Sequence, residues 1–290
     1  MSAAWRRRLT VLAFMSPWIV GFTVFFGYPL VSTVYLSFTH YDLLQPSRWV
    51  GLANYKYMFT RDKQIWPAIS NTLWLVAIMV PLKVMFAFGV ALMLTRARRG
   101  VGVFRTIFYL PALAPTVAAT LGFVYILNPA TGPVNGALGL VGIDGPLWFS
   151  SPSWSKPALT LLLLWGVGNT MIIFLAALVD VPKHLYESAQ LDGAGPWQVI
   201  RHIMVAAVRP TTLVLAVLTV VYAFRSFDFI YVMTYGGPGK ATNTLPFLGY
   251  LQAFVRYDFG LGASTAIIAV LFVIVLAVVY ARSVRKEELD

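Results

Sequence analysis

An all-α integral membrane protein with six transmembrane helices is the fold class this sequence predicts, and three observations predict it. The 290 residues are 59% apolar and only 11% charged, with mean hydropathy +0.74, whereas a soluble domain carries about 25% charge. Uncharged apolar runs of about 20 residues, long enough to cross a bilayer, recur along the chain. The net charge of +11 collects in alternate connections between those runs, which is the distribution that orients a membrane protein. Disorder and collagen-like repeats are excluded by the same composition, and the absence of cysteine excludes a disulfide scaffold. In a soluble chain the pI near 9.9 would point to nucleic acid; the positions of the charges assign it to topology instead.

The spans follow in order at 9–31, 68–94, 106–127, 157–179, 210–234 and 260–281, within a single domain covering 1–290. The first follows the basic cluster Arg6, Arg7, Arg8. Its apolar run is longer than a signal-peptide core and lacks a small-x-small cleavage site, so it reads as a retained span. The second is interrupted only by Lys83, to which no role is given because a lysine there could snorkel or meet a partner. The third follows Arg105 and ends at Asn128-Pro129; Pro111 and Pro115 within it, like Pro81 in the second, are expected to bend helices around a cavity. The fourth is about one crossing long. The fifth carries two charges, Arg225 and Asp228, and the sixth begins at the Asp258-Phe259-Gly260 segment.

With the N-terminus inside, the inner segments hold Arg6–Arg8, then Arg96, Arg98, Arg99 and Arg105, then Lys183, Arg201 and Arg209, and last Arg282, Arg285 and Lys286. Outer loops dilute their basic residues along longer segments and mix them with Asp42, Asp62, Asp144 and Asp258. Both termini are therefore expected in the cytoplasm. Tyr41, Trp49, Tyr55, Tyr57, Trp66, Trp148, Trp154, Tyr250 and Tyr257 lie in the outer loops, where amphipathic rings form an interfacial belt; some could instead receive a docked partner.

One inner connection is long, 180–209, and it reads as two short helices. Pro182 suits a first helical turn, Gly193 and Gly195 allow a left-handed cap, and Pro196 restarts the chain as a helix with Trp197, Ile200, Ile203, Met204 and Ala207 at helical spacing. Taken alone, this is either a rigid lever held against the membrane or an ordinary amphipathic re-entry helix.

Glu187-Ser188-Ala189, Gly193 and Ile203 resemble the EAA signature of ABC-transporter permease subunits (Glu-Ala-Ala, three residues, Gly, nine residues, Ile-x-Leu-Pro). Ser188 replaces the middle alanine, and Val205-Ala206 stand where Leu-Pro is usual, a departure that Pro210 offsets. The resemblance spans nearly the whole chain and is most specific to permeases of carbohydrate importers of the maltose and glycerol-phosphate kind. It rests further on Pro29, Ser37-Phe38, Val50-Gly51-Leu52-Ala53-Asn54-Tyr55, Asn71-Thr72, Phe108-Tyr109-Leu110-Pro111, Gly132-Pro133-Val134-Asn135, Phe227-Asp228, Thr234-Tyr235-Gly236-Gly237-Pro238 and Asp258-Phe259-Gly260.

The resemblance implies a type I importer permease in a prokaryotic cell membrane, with a second similar permease, two ATPase subunits and an extracytoplasmic solute-binding protein as partners. It implies that Glu187, Ser188, Ala189, Asp192 and Gly193 form a coupling helix seated in a groove of the ATPase, and that ATP and Mg are bound by that partner. It implies a sugar substrate, a disaccharide, oligosaccharide or sugar derivative. Carried over by position, Phe224, Arg225 and Asp228 face the substrate, with Trp165, Gly166, Asn169 and Thr116 as further candidates. Rings such as Phe224 and Trp165 can stack on a pyranose while Asn169 and Thr116 hydrogen-bond its hydroxyls. Arg225 and Asp228, three apart on one helical face, could equally neutralise each other as a structural pair.

No G-x-x-x-x-G-K-S/T phosphate loop occurs; Gly237-Pro238-Gly239-Lys240 lacks the first spaced glycine and the following hydroxyl. His40, His184 and His202 are isolated, without metal-ligand spacing. A nucleophile elbow is also missing, so an intramembrane enzyme has nothing to stand on. A glycerol-phosphate substrate is the alternative within the class, and an ATP-independent secondary transporter, which should carry internal repeats, is the alternative outside it.

Overall fold

The computed structural model describes residues 3–96, 99–224 and 227–287, and the helices dominate it. Two compact units divide the chain, one formed by the residues up to Lys63 with Leu248–Val270, the other by Gln64–Phe247 with the segment from Leu271 onward.

In the first unit, α1 (Ala3–Phe22) continues through a π-turn into α2 (Tyr28–Ser37) as one apolar helical stretch. It is longer than the predicted 9–31 span, and its most apolar stretch buries nothing within the chain. A two-residue hairpin, β1 (Thr39–His40) with β2 (Arg48–Trp49), leads to α3 (Ala53–Thr60). The front signature serves as a clasp here. Asn54 Nδ2 donates to the carbonyls of Ser37 (3.0 Å) and Thr39 (2.9 Å), while the Tyr55 hydroxyl donates to Ser37 Oγ at 2.8 Å. Ser264, on the long C-terminal helix, donates to the same Ser37 carbonyl at 2.8 Å. These bonds satisfy backbone groups that a hairpin this short cannot pair by itself.

In the second unit, α4 (Ile65–Arg96) runs 32 residues without interruption, about 48 Å at 1.5 Å per residue and well beyond the ~30 Å of a bilayer core. Pro81 lies inside it without ending it. The predicted third span is not straight. The chain forms α5 (Val101–Tyr109), a 3-10 turn and α6 (Thr116–Ile126), and these turn through 102°. Pro111 enters the 3-10 turn and Pro115, at φ −56° and ψ 130°, caps α6; a proline supplies no N–H and biases the residue before it away from helix. After α7 (Pro133–Leu140) the fourth span is likewise two helices, α8 (Pro152–Trp165) and α9 (Gly168–Val179), bent by 50°. Gly168 is needed at the bend because a Cβ there would lie 2.8 Å from both the Phe108 carbonyl oxygen and the Tyr109 Cα.

The long connection holds α10 (Lys183–Leu191), α11 (Pro196–Val199), a π-turn and α12 (Val205–Ala207), then bends by 65° into α13 (Arg209–Phe224). Of the predicted fifth span, 210–234, the described residues form α13, to Phe224, and α14 (Phe227–Met233). α15 (Leu245–Tyr250) and α16 (Phe259–Glu287) close the order. Among the described residues three helices are individually long and apolar enough to cross a membrane, and up to six spans result when each bent pair counts as one.

The second unit's core joins α4 residues Ala87, Val90, Ala91 and Leu94 to Met171, Phe174, Leu175 and Leu178 of α9, with Met204, Val208 and Leu215. A smaller cluster contains Trp148. That ring is only 8% exposed and its Nε1 donates to Asn135 Oδ1 at 2.8 Å, so Trp148 is a core residue and not part of an interfacial belt. Trp49, Tyr57, Trp66, Trp154 and Tyr257 remain exposed.

Candidate functional site

A cavity of about 410 Å³ opens in the second unit, walled by the 3-10 turn after α5, by α4, α6, α8, α9 and α13, and by Phe229 of α14. The breaks in the spans build it. Pro111, Ala112, Ala114 and Thr116 come from the turn at the third span, and Trp165, Gly166, Asn169 and Thr170 from the bend in the fourth. Non-helical backbone at membrane depth is tolerated where it lines such a cavity.

Four of the sequence-predicted residues are thus brought together: Thr116, Trp165, Gly166 and Asn169. Trp165 meets the ring of Phe123 edge-on, with centroids 5.6 Å apart. The Thr116 hydroxyl and the Asn169 amide make no side-chain hydrogen bond among the described residues, which leaves their donors and acceptors to whatever enters. The other three are not brought there. Phe224 is buried in packing at 6% exposure, Asp228 is exposed but lines no part of the cavity, and Arg225 lies outside the described residues.

Helical periodicity explains the difference at α13. Leu215, Leu218, Thr219 and Tyr222 line the cavity, at offsets of three and four that share one face; Phe224, five beyond Thr219, falls on the other side. The sequence reading missed Tyr222 and Thr219, and applying the 3.6-residue period to this span would have found them. It also gave no role to Lys83. This lysine is 7% exposed, lines the cavity, and holds its Nζ 4.5 Å from the centroid of the Tyr222 ring.

The 180–209 connection presents the other predicted set. Glu187, Ser188, Asp192 and Gly193 are exposed and Ala189 half-buried. The backbone explains their spacing. Gly193 has φ +72°, its N–H donates to the Gln190 carbonyl at 3.1 Å, and the Ala194 N–H donates to the Ala189 carbonyl at 2.8 Å. This is a Schellman cap, in which the left-handed residue must follow the last helical turn and glycine fills it without strain. Gly195, at φ −72°, is not left-handed; it is the N-cap of α11, and its N–H donates to Gln198 Oε1 at 2.7 Å. Ser188, Ala189 and Asp192 line a shallow surface groove with Gln198 and His202, next to the exposed Leu191 and Trp197.

The two regions share a core. Tyr186 of α10 and Ile200 of the π-turn pack against the cluster that holds Ala87 and Leu94 of α4 and Phe174 of α9. Burial pushes the Tyr186 phenol above its ordinary value, and the Arg96 guanidinium acts in the opposite sense. Among the described residues no group of three or more His, Asp or Glu could hold a metal ion.

Comparison with known proteins identifies the family. The sequence pattern of the family described as "Binding-protein-dependent transport system inner membrane component" matches residues 83–288. A probable ABC transporter permease of Bacillus subtilis, YesP, is 36% identical over 91% of this chain and 85% of its own length. The sulfoquinovosyl glycerol transport system permease SmoG of Agrobacterium fabrum is 29% identical over 97% of this chain and 92% of its own. Among solved structures, a bacterial ABC transporter involved in import of the acidic polysaccharide alginate superposes with a TM-score of 0.86 at 25% identity, covering 98% of this chain and 99% of that one. This chain belongs to the binding-protein-dependent transport family as an inner-membrane permease component.

Proposed function

We propose that this chain forms one half of the translocation pathway of an ATP-driven, binding-protein-dependent ABC importer for a sugar, either a disaccharide or oligosaccharide or a sugar derivative. The observation that carries the proposal is the shared core. The loop that bears the EAA residues packs, through Tyr186 and Ile200, on a core of α4 and α9 residues that also holds Leu215, a residue of the cavity wall. The substrates named for the sulfoquinovosyl glycerol and alginate relatives support the sugar assignment.

In this reading two ATPase subunits, which bind ATP and Mg, receive α10 in a groove. Glu187 and Asp192 offer acceptors, Ala189 permits close approach, and the exposed Leu191 and Trp197 cover apolar surface. Closure of the ATPases displaces α10, and because cores are close-packed the displacement passes to α4 and α9, changing which side of the cavity is open. A second permease completes the pathway, and an extracytoplasmic binding protein delivers the sugar to the outer loops. The dense inner arginines support a cytoplasmic placement of both termini. Within the cavity Trp165 stacks on the sugar ring, and Asn169 and Thr116 bind its hydroxyls.

The test is ATP hydrolysis and uptake by the assembled importer in liposomes, with its binding protein and a panel of saccharides. At least one saccharide should stimulate hydrolysis, and Glu187→Ala or Gly193→Pro should abolish the stimulation while ATP binding survives. Stimulation by a peptide or an inorganic ion alone would overturn the substrate class; full uptake by the Gly193→Pro complex would overturn the coupling role.

A further inference from the structure

Lys83 is an ionisable side chain deep in an apolar helix, and groups in that position are functional by default because they are costly to keep. Snorkelling does not account for it. The side chain is buried within the protein at 7% exposure, with its Nζ over the Tyr222 ring. Nor does it point away from the protein. Met79, Lys83, Ala87 and Val90 form the buried face of α4.

Internal partners do not account for it either. Among the described residues it makes neither a salt bridge nor a hydrogen bond, and its Nζ lies 4.5 Å from the centroid of the Tyr222 ring. That contact engages one side of an ammonium group that carries three donors. The remaining side faces a cavity of about 410 Å³, where Thr116 and Asn169 also lack side-chain partners. Asp228 acts electrostatically on the Tyr222 phenol, but it is exposed, forms no salt bridge with Lys83 among the described residues, and lines no part of this space. Among the described residues no carboxylate lines the cavity, so a neutral sugar would fill it and leave the buried ammonium without a direct ion-pair partner there, a costly arrangement. A saccharide bearing an anionic oxygen group removes that cost and gains charge-assisted hydrogen bonds.

We propose that Lys83 makes this cavity selective for saccharides carrying an anionic substituent (carboxylate, sulfonate or phosphate), with the charged group over Tyr222 and the sugar ring toward Trp165, Asn169 and Thr116. This rests on the sugar-importer reading and deepens it.

The experiment uses the assembled importer in nanodiscs of phosphatidylcholine alone, which supply no anionic lipid. Digalacturonate and maltose, disaccharides of similar size and different charge, are titrated separately and binding is read calorimetrically. Digalacturonate is expected to bind about tenfold or more tighter. Lys83→Met should erase the preference while keeping maltose affinity, and Lys83→Arg should keep it within about threefold. Equal affinities in the unmodified importer, a preference that persists in Lys83→Met, or an equal loss of both ligands would each overturn the proposal. The wild-type comparison needs no variant to fold. In a further arm with phosphatidylglycerol, unchanged digalacturonate affinity is expected; competition by that lipid would overturn the proposal by assigning Lys83 to a headgroup. Failure of the sugar reading itself shows elsewhere, as the absence of any saccharide-stimulated ATP hydrolysis.

Discussion

Two polar regions of the second unit use the same residue types to opposite ends. Where α4 begins, Asn71 Nδ2 donates to the carbonyls of Lys240 and Asn243, both at 2.8 Å, and Thr72 Oγ1 accepts the Leu245 N–H at 2.9 Å. The Thr234 and Thr242 hydroxyls lie 2.7 Å apart in the same loop, and Thr242 donates to the Gly237 carbonyl at 2.8 Å. In the cavity, Lys83, Asn169 and Thr116 make no such side-chain bonds among the described residues. In the loop, bonds to backbone hold irregular chain to a helix, although Asn243 Oδ1 and Thr244 Oγ1 stay buried without a partner there; in the cavity, the unpartnered groups border open space. Pairing, more than polarity, separates fold from site.

The comparison breaks first at Asn71. Asn71→Leu preserves bulk but leaves the buried Asn243 carbonyl without its side-chain donor, costing about 1–3 kcal/mol, and takes from the Lys240 carbonyl one of its two donors. A drop of several degrees or more in the melting temperature of the detergent-solubilised chain is expected, by scanning fluorimetry. An unchanged melt would mean that the loop is held by packing alone. Thr72→Val is the milder form. It strips the acceptor from one buried N–H and should cost about 1–3 kcal/mol in the same melt.

Asn169→Leu tests the other side. Because the Asn169 side chain has no partner to lose, its melt should stay within about 0.5 kcal/mol of wild type, while uptake at low substrate falls about tenfold, or 1.4 kcal/mol. A destabilised protein with normal uptake would invert the comparison and return Asn169 to the fold.

The sequence carried the paired region better than the unpaired one, for a physical reason. Asn71-Thr72, Val50–Tyr55 and Gly132–Asn135 read as signatures because hydrogen bonds to backbone fix both residue type and spacing, as Asn54 and Asn135 illustrate. The Glu187–Gly193 spacing was legible likewise, through the cap at Gly193. The sites of bending were legible in part. Pro111 and Pro115 pointed to a bend in the third span, but hydropathy registers how long an apolar run is, not its direction, so neither the 102° of that turn nor the 50° bend at Gly166-Val167 could be read from it. Without the second bend the wall of the cavity is incomplete, and Lys83 in an apolar run has no evident role. Phe224 was carried over by position, whereas the facing of α13 is set by the helices packed against it.

The subtlest test lies on the link between the two ends of the molecule. Tyr186 is half-buried against the core, and its hydroxyl makes no hydrogen bond among the described residues, so its contribution is the ring. Burial holds its phenol above the ordinary 10.0, and a raised acid stays protonated, so the group is neutral throughout about pH 6 to pH 9. Tyr186→Phe should therefore leave both the melt and the saccharide-stimulated ATP hydrolysis unchanged across that range. Tyr186→Ala removes the ring, and should lower stimulation several-fold while basal hydrolysis persists. A pH-dependent loss in Tyr186→Phe would make the hydroxyl, not the packing, the carrier of the signal, and would place an interacting polar group where the paired and unpaired regions now leave none.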